Sequence, residues 1–458
     1  MEETSIKHRN ASKSSSVLSM LAIQRPDKTQ SSLQTVVGIV NSMVGSLCLV
    51  LPLVFLNYGV ISCTVIMIIL GFVQYNTCSL LILHLKDDEI DTEHMIKRIL
   101  GKPWMQAFRF CSGTLLFIVG IIYFQLINLT LYPIITYILS YNNIEFADAS
   151  EKFVFNMYSI QWQALIVFLP LSTLLLIKDI TTIVKIAHYG VIALFAYGIF
   201  IIYIFIVNLT SEDISQKFDQ ITLWSWDFSQ PAGQFALAFM IHNAVGQLMK
   251  NNEKRDNNSR DLAIAYMIAG IIYGIVGIFG SIGILGLENI GEAQTILNCF
   301  KKSDVEIIII ESLFLVHLVT AFPIFNNISK YQILEVLYHK REPPKVVYWG
   351  FSILFMVLCL TIQLLNIPVG LVISFDGAVC GFLLVYIVPI SLHLKCYQTQ
   401  NKVTLIGDEE DEFDTQVKCV NHKDKNSIPM FARIAFYALI MGIGIYNLIV
   451  QFYDIFKS

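Results

Sequence analysis

The stretch Asn41-Ser-Met-Val-Gly45-Ser-Leu-Cys-Leu-Val-Leu-Pro52 sits in the middle of an apolar run from Leu33 to Val60. The run is long enough to cross a bilayer as a helix, which takes ~20 residues. Its centre nevertheless carries an amide, two hydroxyls, a glycine and a proline. Within hydrocarbon, unpaired backbone groups are tolerated only where they line a cavity or meet a ligand. Gly45 and Ser46 are the natural opening point, and Pro52 cannot donate back towards Cys48. An opened helix offers N–H groups suited to a carboxylate on one side and C=O groups suited to a cation on the other. The alternative reading is a kinked helix whose small residues let a neighbour pack closely.

Working outward, 55% of the 458 residues are hydrophobic and 14% are charged, against about a quarter charged in soluble domains. The sequence therefore predicts an all-α polytopic membrane protein. Apolar runs predict eleven spans, at 34–58, 61–85, 104–139, 162–178, 182–207, 232–250, 262–285, 305–330, 347–366, 370–394 and 430–454. The third is overlong, with a bend expected near Asn128 or Pro133. The fourth ends at Lys178-Asp179.

With the N-terminus cytosolic, 25 of the 31 Lys and Arg face the cytosol and 5 face the other side, with Arg109 left inside a span. The rule that counts Lys and Arg then places the C-terminus in the lumen. Residues 1–30 read as a flexible cytosolic tail. Cys299, alone in a lumenal loop, is expected as a free thiol. No Cys/His spacing suggests a metal site, and no nucleophile–base constellation suggests an enzyme. No nucleic-acid partner is expected; the partners are membrane lipids and a small molecule.

The sixth span runs Ala236-Leu-Ala-Phe-Met-Ile-His242-Asn243, so an imidazole and an amide interrupt it mid-membrane. It lies five spans after the first, in the opposite orientation. Paired interrupted spans point to a transporter site between repeats. An isolated intramembrane histidine is often a packing residue, but beside a second broken helix the site reading is preferred.

Three motifs carry a family resemblance. They are Asn41-Ser-Met-Val-Gly45-Ser with Leu49 and Pro52; the sixth-span sequence followed by Lys250-Asn-Asn, Asn257-Asn258, Arg260-Asp-Leu262 and Ile264-Ala-Tyr266; and Thr320-Ala-Phe-Pro323. Weaker echoes are Gly377-Ala-Val-Cys-Gly381 and Asn447-Leu-Ile-Val-Gln-Phe452. The chain resembles the amino acid/auxin permease family, in its solute carrier 38 branch and nearest the lysosomal, arginine-responsive members.

The resemblance implies a LeuT-like 5+5 inverted repeat of the APC superfamily, with an extra C-terminal helix. The transporter domain would be 31–455, with repeats at about 34–207 and 232–394, a cytosolic loop at 395–429 and helix eleven at about 430–454. Substrate would lie between broken helices one and six. Its carboxylate would meet the N–H groups of Gly45, Ser46 and Leu47. Its amino group would meet the carbonyls of Ala238, Phe239, Met240 and Ile241, beside His242 and Asn243. Asn41 and Thr320 match a Na⁺ site in sodium-coupled members, with the carbonyls of Val40 and Met43 as further oxygen ligands. No other cofactor is implied.

The resemblance implies symport across a lysosomal or vacuolar membrane, coupled to Na⁺ or H⁺. The alternative is a non-transporting amino acid sensor or assembly subunit that keeps the fold. The short tail does not support the nutrient-signalling partners of the branch. His317, on one face with Thr320, and Asp376, towards the lumenal end of span ten, are further coupling candidates. Glu311 is expected to be wet, and Arg109 to reach the cytosolic headgroups.

Overall fold

The computed structural model describes residues 30–86, 89, 91–147, 154–175, 190–219, 221–287, 289–291, 293–300, 305–338, 343–406 and 430–457. The tail to residue 29, the end of the fourth span at Lys178-Asp179 with the start of the fifth, and 407–429 of the expected loop lie outside the described residues.

The first span is two helices. α1, Ser32–Met43, opens with a capping box in which Ser31 and Gln34 satisfy each other's backbone N–H (3.3 and 3.0 Å). Val44 then turns extended and Gly45 leaves the helical region, a 3₁₀ turn covers Ser46–Leu49, and α2 covers Leu51–Tyr58. Pro52 lies in the first turn of α2. There its missing N–H removes no hydrogen bond and its fixed φ suits a helix start. It starts the second half-helix rather than weakening a continuous one.

Gly59, at φ 89°, turns the chain into α3, Val60–His84. A side chain at Gly59 would be strained by that φ and would also press on the Leu223 carbonyl 3.0 Å away. Residues 222 and 223 accept hydrogen bonds from Val60 and Ile61 N–H at 3.0 and 2.9 Å, which satisfies orphan donors at the start of α3.

A short helix, α4, Thr92–Ile99, precedes the 40-residue α5, Lys102–Tyr141. α5 stays helical through Asn128 and Pro133, where the sequence predicts a bend. At ~1.5 Å per residue it is ~60 Å long, so it crosses the bilayer and extends beyond it. There follow α6, Ile160–Leu174; α7, Gly190–Leu209; and the short α8, Ile214–Phe218.

The sixth span is again two pieces, α9, Ser229–Ala238, and α10, Val245–Lys250, with 239–244 unwound. Then come α11, Asn258–Gly283; α12, Val305–Tyr338; α13, Lys345–Leu364; and α14, Val369–Gly381. A π-helical stretch, Phe382–Ile387, leads into α15, Val388–Ile406. Helix therefore continues well into the expected loop at 395–429. α16, Met430–Lys457, follows.

Among the described residues, eight helices are long and apolar enough to cross a membrane, and Ile160–Leu174 is a shorter apolar helix. The protein is all-helical and polytopic. The longest interface is between α5 and α12, and α9 packs closely on α14. At that second crossing a Cβ on Gly377 would collide with the Gly233 carbonyl and lie 2.8 Å from Leu237 N. A Cβ on Gly233 would lie 2.6 Å from Ser374 Cα. The two backbones touch, a packing mode typical of membrane helices.

Arg109 does not reach headgroups. It is ion-paired with Glu93 of α4 and, at 2.7 Å, with Glu335 of α12, and all three side chains are mostly buried. Three elements are thereby clamped at one end of the bundle. Next to them Asp91 caps α4, and the His94 ring lies 2.7 Å from its carboxyl. Burial pushes the Asp91 carboxyl up, but the hydrogen bonds and charge of His94 outweigh it and hold the carboxyl below its usual value. The bond to Asp91 raises the His94 imidazole, against the opposing effect of its partial burial. The Asp91 contribution to stability is therefore lost as pH falls through its depressed value. The His94 contribution is lost as pH rises through its elevated one. Cys299 is a free, buried thiol, which burial pushes up to about 12.

Candidate functional site at the two helix breaks

Beyond the first break, the next backbone hydrogen bond runs from Cys48 N–H to the Gly45 carbonyl at 3.1 Å. Among the described residues, the N–H groups of Gly45, Ser46 and Leu47 thus have no backbone acceptor. The Tyr123 hydroxyl of α5 lies against Ser46 and meets both its side chain and its backbone. Gly45 itself leaves the helical region, at φ −151° and ψ −149°. An added Cβ there would have the Tyr123 hydroxyl, at 3.9 Å, as its nearest neighbour.

The second break exposes carbonyls, and side chains from α3 and α11 hold most of them. Gln74 donates to Phe235 and Ala236 carbonyls at 3.2 and 2.9 Å. The Tyr266 hydroxyl donates to the Phe239 carbonyl at 3.0 Å. The Tyr273 hydroxyl lies 2.7 Å from the Met43 carbonyl and 2.9 Å from the Ala238 carbonyl. It therefore ties the loose end of α1 to the loose end of α9. Ile241 carbonyl accepts from Ala244 and Val245 N–H at 2.9 and 2.8 Å. The Met240 carbonyl has no donor among the described residues.

A hydroxyl carries one proton, so at any moment Tyr273 satisfies one of its two carbonyls. The other remains able to accept from an ammonium group or to meet a cation. Tyr273→Phe should leave two buried acceptors without their donor. The expected loss is about 1–3 kcal/mol in stability, read as a lower thermal unfolding midpoint in detergent.

His242 is fully buried, with one ring nitrogen 2.9 Å from the Thr77 hydroxyl of α3. Asn243 donates to Ser112 of α5 at 3.2 Å. Each thus fastens the unwound segment to a different neighbouring helix. Asn41 is exposed, and Val40 is half-buried. The Thr320 hydroxyl donates into its own helix, to the carbonyls of Val316 and His317 at 2.8 and 3.0 Å. α1 packs mainly on α11 and α10 and has no extensive interface with α12, so Asn41 and Thr320 sit on elements that are not paired.

The His317 ring packs edge-on to Phe314 at 6.1 Å, with no partner for either nitrogen among the described residues. Asp376 is fully buried. Its carboxyl sits beside the Cys380 and Cys111 thiols, with no nitrogen or hydroxyl donor among the described residues.

Sequence reasoning did not single out Gln74, Tyr123 or Tyr273, and quoted Tyr266 only within a motif. The available signal was the spacing of Tyr266 and Tyr273, seven residues and so two turns apart on one helical face.

A profile of the family described as transmembrane amino acid transporter protein matches residues 28–405. The chain belongs to this family. It is a family of transporters rather than enzymes. Relatives include Neutral amino acid transporter 9 of Xenopus laevis, 31% identical over 178 residues, 36% of this chain and 30% of the relative. The same-named protein of Rattus norvegicus is 25% identical over 228 residues, 49% of this chain and 36% of the relative. The chain thus matches about a third of the length of these curated relatives. Among solved structures, MhsT in complex with L-phenylalanine superposes with a TM-score of 0.50 at 11% identity, covering 94% of this chain and 99% of that one. That likeness concerns the fold, which is of the LeuT type.

Proposed function

We propose that the chain is a secondary active transporter of amino acids that works by alternating access at the two helix breaks. The observation that carries this reading is the juxtaposition of N–H groups at 45–47, which no backbone carbonyl accepts among the described residues, with carbonyls at 238–240, the two ends joined through Tyr273. The substrate carboxylate would bind at Gly45, Ser46 and Leu47. The amino group would bind the Met240 carbonyl and whichever carbonyl Tyr273 leaves free. Such a site reads the groups common to all amino acids and leaves side-chain choice to the surrounding helices.

Eleven spans follow when the two broken helices and Ile160–Leu174 are added to the eight long ones. The spans would form repeats at about 34–207 and 232–394 with a further helix. The N-terminus would be cytosolic, and the membrane lysosomal or vacuolar. Coupling would be to Na⁺ or H⁺. For Na⁺, Asn41 and Thr320 with the carbonyls of Val40 and Met43 are the candidate oxygen ligands, and α1 would have to approach α12 to complete the set. The exposed face of α1, with Leu33, Val37 and Asn41 at four-residue spacing, supports a mobile half-helix. His317 and Asp376 are candidates for the H⁺ case.

Uptake of a panel of labelled amino acids into proteoliposomes, with and without sodium at two pH values, tests the proposal. Thr320→Ala should fold normally and lose sodium stimulation. Unchanged sodium stimulation in that variant would remove Thr320 from the site, and no saturable uptake by the unaltered protein would remove the transporter reading.

A further inference from the structure

Glu311 lies on α12 about 9 Å from the helix start, at 1.5 Å per residue. The sequence leads one to expect it in water, yet it is 0% exposed. Neither carboxyl oxygen has a hydrogen-bond partner among the described residues. It falls on a buried stripe with Phe314, Leu318 and Phe322, on the helix that packs against α5 and α7. Titratable groups of the surrounding elements include Tyr132 on α5, Tyr197 on α7, Cys359 on α13, Cys299 in the turn before α12, and Glu306 and His317 on α12 itself. None of them hydrogen-bonds or ion-pairs with Glu311. Tyr132 and Tyr197 already donate to the Ala147 and Cys48 carbonyls at 2.5 and 2.7 Å. Lys301, Lys302 and Asp304 lie outside the described residues.

An ionised carboxylate held there without donor or counter-charge is strongly disfavoured, so the buried group is the neutral acid. Intramembrane acids of this kind mark sites where protons are taken up and released. The position is also linked to the candidate site. Phe314, almost one turn on, packs edge-on against Tyr197 at 5.2 Å. Tyr197 in turn holds the Cys48 carbonyl, just past the first break.

We infer that Glu311 is a proton-binding carboxyl of the transport cycle, neutral while this half of the bundle is closed and ionised when it opens to water. The inference rests on the transporter reading for its role in the cycle, but not for the proton site itself. On opening, water reaches the carboxyl and accepts its proton; before reclosure the carboxylate takes one proton back. Ionisation favours the hydrated, open state, so raising pH shifts the population towards it and lowering pH favours the closed one.

The test uses the full chain. In detergent, the unfolding midpoint of the unaltered protein should fall as pH rises from about 5 to about 8, as ionisation opposes the closed state. Glu311→Gln, a neutral isostere, should flatten that fall, and Glu311→Asp should retain it. In proteoliposomes containing a pH-sensitive dye, uptake of labelled amino acids should carry protons and vary by up to about tenfold per pH unit. Glu311→Gln should abolish the proton movement and keep amino acid exchange. A Gln variant that keeps the unaltered pH dependence of both melting and uptake overturns the inference. If the unaltered protein transports no amino acid, flattened melting in the Gln variant still upholds the proton site while the transporter reading fails. Should Glu311→Gln fail to fold, a pH-independent midpoint in Glu311→Asp overturns the inference.

Discussion

Gly45→Val is expected to abolish amino acid uptake while leaving a folded protein in the membrane. The backbone at this position, φ −151° and ψ −149°, keeps φ outside the left-handed region that only glycine adopts freely. The space beside it is open up to the Tyr123 hydroxyl, 3.9 Å from an added Cβ. The fold therefore accommodates the substitution. A ligand does not, because the added methyls fill the volume in front of the Gly45, Ser46 and Leu47 N–H groups. A hydrogen bond to a charged group contributes about 1.5–3 kcal/mol. Losing two such bonds to a carboxylate weakens binding at least about a hundredfold. Uptake and a detergent melting curve, measured on the same preparation, check both halves. Normal uptake would remove the carboxylate from this break.

Gly377→Val should have the opposite profile, with the fold itself lost. Here the Cβ collides with the Gly233 carbonyl and sits 2.8 Å from Leu237 N, so backbone and not a flexible side chain would have to move. Overpacking usually destabilises by about 1–3 kcal/mol. With no side chain able to yield, the upper end of that range or more is expected. Gly233→Val should do the same, and the double variant should lose less than the sum, since both open the same crossing. A monodisperse Gly377→Val protein with an unaltered unfolding midpoint would show that α9 and α14 are not packed backbone to backbone.

The membrane class and the two breaks were legible in the sequence because lipid penalises any polar interruption of a span. Gly45 with Ser46, and His242 with Asn243, were such interruptions, and both helices unwind there. What holds the broken ends was not legible. Gln74, Tyr266 and Tyr273 sit in spans that are apolar on nearly every side, so no polar face shows how the helix is rotated. The same lack of rotational information misplaced Glu311 and Arg109. Position along a span suggested water or headgroups, whereas rotation buries one and pairs the other with Glu93 and Glu335. Pro52 was read as a breaker because its distance from the opened turn was unknown, and a proline in a first turn is indistinguishable in sequence from one in mid-helix.

The central claim is that the two breaks grip the carboxylate and the ammonium of one amino acid. It is tested most directly by exchange of labelled amino acids across proteoliposomes, in competition with unlabelled analogues modified at one end. Free amino acids should compete, whereas the corresponding methyl esters and N-acetyl derivatives should each fail, because each lacks one of the two charges that the breaks recognise. Exchange that either derivative inhibits as well as the parent amino acid does would contradict the claim.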